Sequence, residues 1–170
     1  MRNIIIRALI TGVLVVLWLF GGFTVLSLII TSVPHMILRT LTGSLGLVVL
    51  FTGIYYAMRN EKQKKGAEGY TYVQALGTGV CIAVIVAVMV SAASFIYVYL
   101  NPHFADDMAK EAEASLRQSG ASQAAIAQKV AAVKDEFSLN RQVMAALTVQ
   151  TAIGTVFSLI AAAFLKTKKQ

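Results

Sequence analysis

Four stretches of the chain, 8–30, 40–58, 74–100 and 142–165, are apolar and contain no charged residue. A helix needs about 20 apolar residues to cross about 30 Å of hydrocarbon. Each stretch meets or nearly meets that length, and the second is the shortest. Inside lipid every backbone amide must pair within the protein, which helices achieve along their own axis. The stretches do not alternate in the way barrel strands must. The pattern therefore predicts an all-α protein, an integral membrane four-helix bundle with spans at about 8–30, 40–58, 72–100 and 142–165.

Punctuation supports these spans. Thr71 followed by Gln74 is a capping box, because each side chain can satisfy an orphan amide of the other. Pro34 breaks the chain between spans one and two. From residue 72 to 100 the third helix is about 43 Å long at 1.5 Å per residue, so it tilts or projects. Ala75, Gly79, Ala83, Ala87 and Ser91 recur every four residues along it. Gly154, Ser158 and Ala162 repeat the motif on the fourth span. Such small-residue seams let backbones approach closely, so both faces are predicted packing surfaces, within the bundle or between subunits. Trp18 lies near the middle of the first span, away from the interface that Trp favours, and is expected to meet a neighbouring helix or lipid.

Residues 101–141 form the one sizeable hydrophilic segment. Asn101-Pro102 suits an N-cap followed by proline at N1. Phe104, Met108, Ala112 and Leu116 then recur every four residues. Gly120 and Ser122 break and restart the helix. Ile126, Val130, Val133 and Phe137 form a second amphipathic stripe. The expectation is an amphipathic helical hairpin between spans three and four.

Charge orients the bundle. The N-terminal end, the 59–73 gap and the C-terminal tail hold nine basic and two acidic residues, whereas the remaining gaps hold six of each. The whole net charge of +7 thus lies on one side, which the positive-inside rule makes cytoplasmic. Both termini are then cytoplasmic and 101–141 extracytoplasmic. Composition agrees: 57% of residues are hydrophobic and 14% charged, against about 45–50% and about 25% in soluble domains. The basicity needs no nucleic acid, since the Lys-rich 60–65 loop adjoins a span and suits topology and anionic lipid. The first apolar run is about twice a signal-peptide core, and no small-x-small site follows, so it reads as an uncleaved helix.

Candidate chemistry is sparse. The spans hold no ionisable residue of the kind that proton pumps and transporters place there. Gln150 is the deep polar side chain of span four and is expected to hydrogen-bond across helices. Cys81 is alone and serves as a small apolar filler. The site candidates are an extracytoplasmic polar cluster of His35, Arg39, His103, Asp106 and Asp107. Here His103 and Asp106, at i and i+3, have the spacing to share a divalent metal with His35. The alternatives are solvated interfacial histidines, with Arg39 paired to Asp106 or Asp107 or snorkelling. No catalytic, cofactor or metal residue is assigned.

Gly69-Tyr70-Thr71-Tyr72 with Gln74-Ala75-Leu76 entering span three, and Asn101-Pro102-His103-Phe104 leaving it, carry a likeness. With the four-span layout, the chain resembles the bacterial membrane family called domain of unknown function 4199 (DUF4199) over nearly its whole length. The resemblance implies a bacterial inner membrane and transfers no functional residue. The expectation is a non-enzymatic membrane protein that meets a membrane or periplasmic partner, or a second copy, through its small-residue faces and outer hairpin. A subunit of an oligomeric channel or carrier is the alternative, and a lipid-handling enzyme a third.

Overall fold

The computed structural model describes residues 2–30, 33, 35–65 and 69–165, with the side chains of His35 and Met36 outside the description. Six helices account for most of this chain: α1 (Arg2–Ile29), α2 (His35–Lys65), α3 (Tyr72–Leu100), α4 (Phe104–Gln118), α5 (Gln123–Glu136) and α6 (Leu139–Leu165). No strand is present among the described residues. Helices α1, α2, α3 and α6 are long and apolar enough to cross a membrane. Their outward faces carry large hydrophobic side chains, among them Leu28, Val73 and Phe164, each at least three-quarters exposed. Water would penalise such a surface, whereas lipid does not.

Helix α3 is central, touching α1, α2 and α6, and α2 also contacts α1 and α6. The small-residue seams explain the closest of these contacts. Ala75, Gly79, Ala83, Ala87 and Ser91 are all buried, as are Gly154, Ser158 and Ala162. A methyl group at Gly154 would stand 2.5 Å from the Ala83 Cβ, and one at Gly79 would overlap Ser158. The Ser91 hydroxyl donates to the Val143 carbonyl across the gap at 2.7 Å. The two seams therefore meet each other inside the chain. No room is left where Gly79 meets Ser158 and Gly154 meets Ala83.

Several boundaries move from the expected ones. Helix α2 extends at both ends, taking Arg39 and the basic stretch up to Lys65 into the helix. Helix α6 begins at Leu139, three residues early. Asn101 does not cap the following helix. Its amide donates to Tyr97 and Val98 carbonyls and its carboxamide to Tyr97, so it closes α3, and His103 takes the N-cap position of α4 without a side-chain cap bond. The orphan carbonyls of a long helix end claim the donors first. Pro34 lies outside the described residues. The Thr71–Gln74 capping box is present with both reciprocal bonds. Gly120 adopts φ +74° between α4 and α5, a conformation glycine takes without strain. Ser122 caps α5 by accepting from the Ala125 amide.

The chain of α1 changes character midway. Leu17–Gly22 is a π-helical segment between α-helical halves. Trp18, within it, donates its indole N–H to the Thr42 carbonyl of α2 at 3.0 Å. The apolar stripes of α4 and α5 meet in a small core of Phe104, Met108, Ala109, Val133 and Phe137, reinforced by the side chains of Tyr97 and Val98 from α3. Lys134 of α5 pairs with Asp106 of α4 at 2.7 Å.

Candidate functional site: a cavity between the long helices

At the end of the bundle that carries α4 and α5, the four long helices line a half-open recess of about 600 Å3, with Ala145 and Val149 of its α6 wall exposed. Its origin is compositional. Gly43 of α2 and Ala145 and Ala146 of α6 line it, and these small side chains leave the space open, whereas Gly46 packs closely against Leu19 of α1. A methyl group built at Gly43 finds no atom within 4 Å. The π segment brings Leu19 and Phe20, followed by Phe23, to the wall on the α1 side. The volume falls within the range of about 300–1,000 Å3 typical of small-molecule sites.

The rim is polar and aromatic. Phe20, Tyr97, Phe104 and Phe137 form a chain of ring contacts with centroid separations of 5.3, 5.3 and 5.6 Å. The Arg39 guanidinium lies over Phe137 at 4.6 Å and over Phe104 at 5.6 Å, an arrangement that attracts a cation to ring faces. Its Nη2 donates to the Gln142 Oε1 at 2.7 Å. Gln142 in turn donates to the Glu136 main-chain carbonyl at 2.9 Å. One arginine thus ties α2 to α6 and to both ends of the α4–α5 pair.

The deep polar group is Gln150. It is 9% exposed and lines the cavity. No hydrogen bond reaches its side chain among the described residues, so the expected interhelical bond is absent. Its carboxamide atoms are not sealed off but stand open to the recess, available to a bound polar group or water. Ser94 also lines the cavity and is buried.

The polar cluster expected from the sequence does not assemble as one site. Arg39 bonds to Gln142 and the two rings rather than meeting Asp106 or Asp107. Asp106 pairs with Lys134, and Asp107 with Lys110 at 3.2 Å. The hydrogen bond and charge of Lys134 hold the Asp106 carboxyl below the ordinary carboxylate value. His103 is exposed beside Asp106 and Lys134 in a shallow hollow, and the His35 side chain lies outside the described residues. Among the described residues no three His, Cys, Asp or Glu side chains gather to hold a metal. Sequence reasoning named Arg39 and Gln150 but missed their connection through Gln142 and the cavity between them. The signal was the set of small residues at Gly43, Ala145 and Ala146 on two different spans.

The fold and cavity define a class: a bundle of four membrane-capable helices whose interior opens beneath a pair of short helices. The chain belongs to the family described as Protein of unknown function (DUF4199), whose model matches residues 7–167. No curated protein and no solved structure gives a match.

Proposed function

We propose that this protein is a multi-pass protein of the bacterial cytoplasmic membrane that works by binding an amphipathic small molecule rather than by making or breaking bonds. Both termini face the cytoplasm and α4 and α5 form an extracytoplasmic hairpin over the cavity mouth. The charge asymmetry of the gaps supports this orientation, with all of the net +7 at the opposite end. One observation carries the binding reading: the recess of about 600 Å3 has an apolar wall, an arginine at its rim and, inside, the Gln150 carboxamide open to it with no hydrogen bond from the described residues. A few placed polar groups in an apolar recess are the usual make-up of a small-molecule site. Association through the small-residue seams is not part of this reading, because α3 and α6 bury them against each other.

The test uses full-length protein taken from its native membrane. Native mass spectrometry should show a non-covalently bound small molecule, and Gly43→Leu should remove it. The added side chain enters open space and improves helix propensity by about 1 kcal/mol, so the variant should fold. Loss of nothing on Gly43→Leu, or a wild-type protein that carries and takes up no ligand, refutes the proposal.

A further inference from the structure

Arg39, Asp135, Glu136 and Arg141 line this cavity, and two of the four, of opposite sign, stand outside any ion pair. Among the described residues, Arg141 pairs with Asp135 at 3.0 Å and Lys134 with Asp106, whereas Arg39 and Glu136 take part in no salt bridge. Both line the cavity. Gln142 stands between them, accepting from the Arg39 guanidinium and donating to the Glu136 main chain. Glu136 is near enough to act on Arg39 electrostatically but does not touch it. A guanidinium has five N–H donors in a planar fork suited to phosphate, and Gln142 takes one of them.

This rim selects by charge. A purely anionic head group would meet Arg39 but be repelled by Glu136. A cationic one would meet the reverse. A head group with separated charges, anion toward Arg39 and ammonium toward Glu136, satisfies both. Below the rim, Ala145, Ala146 and Val149 make an apolar strip along α6. Gln150 lies eight residues beyond Gln142, about 12 Å along the axis at 1.5 Å per residue. Side chains on a helix lean toward its N-terminus, and for α6 that is the Arg39 end. The Gln150 carboxamide therefore reaches back toward the rim, at the depth where a glycerolipid carries its ester carbonyls.

We propose that the cavity holds one zwitterionic glycerolipid, with phosphate on Arg39, ammonium on Glu136, an ester carbonyl accepting from Gln150 and one acyl chain along the Leu47–Val149 wall. The assignment rests on the cavity reading above and on the topology that sets this rim at head-group level.

The experiment equilibrates the detergent-solubilised full chain with equal amounts of dioleoyl phosphatidylethanolamine and dioleoyl phosphatidylglycerol and weighs the adducts by native mass spectrometry. Wild type should retain one phosphatidylethanolamine in preference. Glu136→Gln, at the exposed end of α5, should shift the retained ratio toward phosphatidylglycerol by about tenfold, the effect of one charge-assisted hydrogen bond. Gly43→Leu should remove both adducts. If the ratio is unmoved by Glu136→Gln while Gly43→Leu still clears the cavity, the head-group assignment fails and the cavity reading stands. If the adducts persist undiminished in Gly43→Leu, both fail.

Discussion

Two glycine-to-alanine substitutions with the same chemistry should move stability in opposite directions. Gly43 and Gly154 both lie inside long helices, so alanine at either gains about 1 kcal/mol of helix propensity. At Gly43 nothing opposes that gain, because the new Cβ meets no atom within 4 Å. At Gly154 the Cβ would sit 2.5 Å from the Ala83 Cβ and 3.4 Å from the Ala83 Cα. Neither atom belongs to a flexible side-chain end, so α3 and α6 must separate along a seam held by the Ser91–Val143 hydrogen bond. Overpacking of this kind costs about 1–3 kcal/mol. Propensity cancels in the comparison, leaving Gly154→Ala less stable than Gly43→Ala by about 1–3 kcal/mol. At about 2–4 °C per kcal/mol for a chain of this size, thermal melts in one detergent resolve the gap. A partner control sharpens it: Gly79→Ala should be partly rescued by Ser158→Gly, which removes the two nearest atoms in its way and leaves the flexible Met58 side chain, with Sδ at 3.0 Å, to yield. Equal melting of the Gly43 and Gly154 variants would refute the argument that α3 and α6 meet through these seams.

Three further outcomes follow from single side chains. Tyr70 is buried and donates its hydroxyl to the Thr78 hydroxyl at 3.2 Å. Tyr70→Phe should cost about 1 kcal/mol, read in the same melts. Burial raises the Tyr70 phenol above its ordinary value, so its contribution is fully present below about pH 10 and is lost as pH rises through the raised folded value; ultraviolet titration of Tyr70→Phe should lose one late-ionising tyrosine relative to wild type. The Asp106 carboxyl is lowered by Lys134, so the tie between α4 and α5 is complete above about pH 4 and is lost as pH falls through the lowered folded value. Amide exchange in these helices should accelerate on that acidification, and an Asp106→Asn variant should lack the acid-dependent component. Cys81 is exposed on α3 within an apolar span, where the thiolate that maleimide needs does not form, so in intact cells it should resist permeant and charged maleimides alike and label only after denaturation in detergent.

The long helices were legible because two blunt properties, length and absence of charge, report them. The capping box at Thr71, the break at Gly120 and the stripes through Phe104 and Phe137 were legible because each is a local pattern. The α3–α6 seam was half legible: spacing exposed both small-residue faces but not that they meet each other. The cavity was not legible, because a void is made by what four separated segments fail to fill. Arg39 shows the difficulty plainly. Its hydrogen-bond partner, Gln142, is 103 residues away, and its ring partners bracket the α4–α5 pair. Sequence proximity and charge matching pointed instead to Asp106 and Asp107, which lysines occupy. Gln150 was visible as deep and polar, but its lack of a partner depends on the space beside it.

The π segment at Leu17–Gly22 also fixes a phase. One residue of an α-helix advances the surface by about 100°, so one extra residue in a turn rotates everything beyond it by that angle. The first half of α1 buries Ala8, Thr11, Gly12 and Val15 at helical spacing. Within the segment and just past it, Phe20 and Phe23 line the cavity. Helix α1 therefore behaves as two faces spliced out of register: one half is keyed to close packing and the other to an open interior. A chain shortened by one residue there would keep an unbroken helix but turn its second half away, leaving Tyr97 without its stacking neighbour and the recess without its α1 wall.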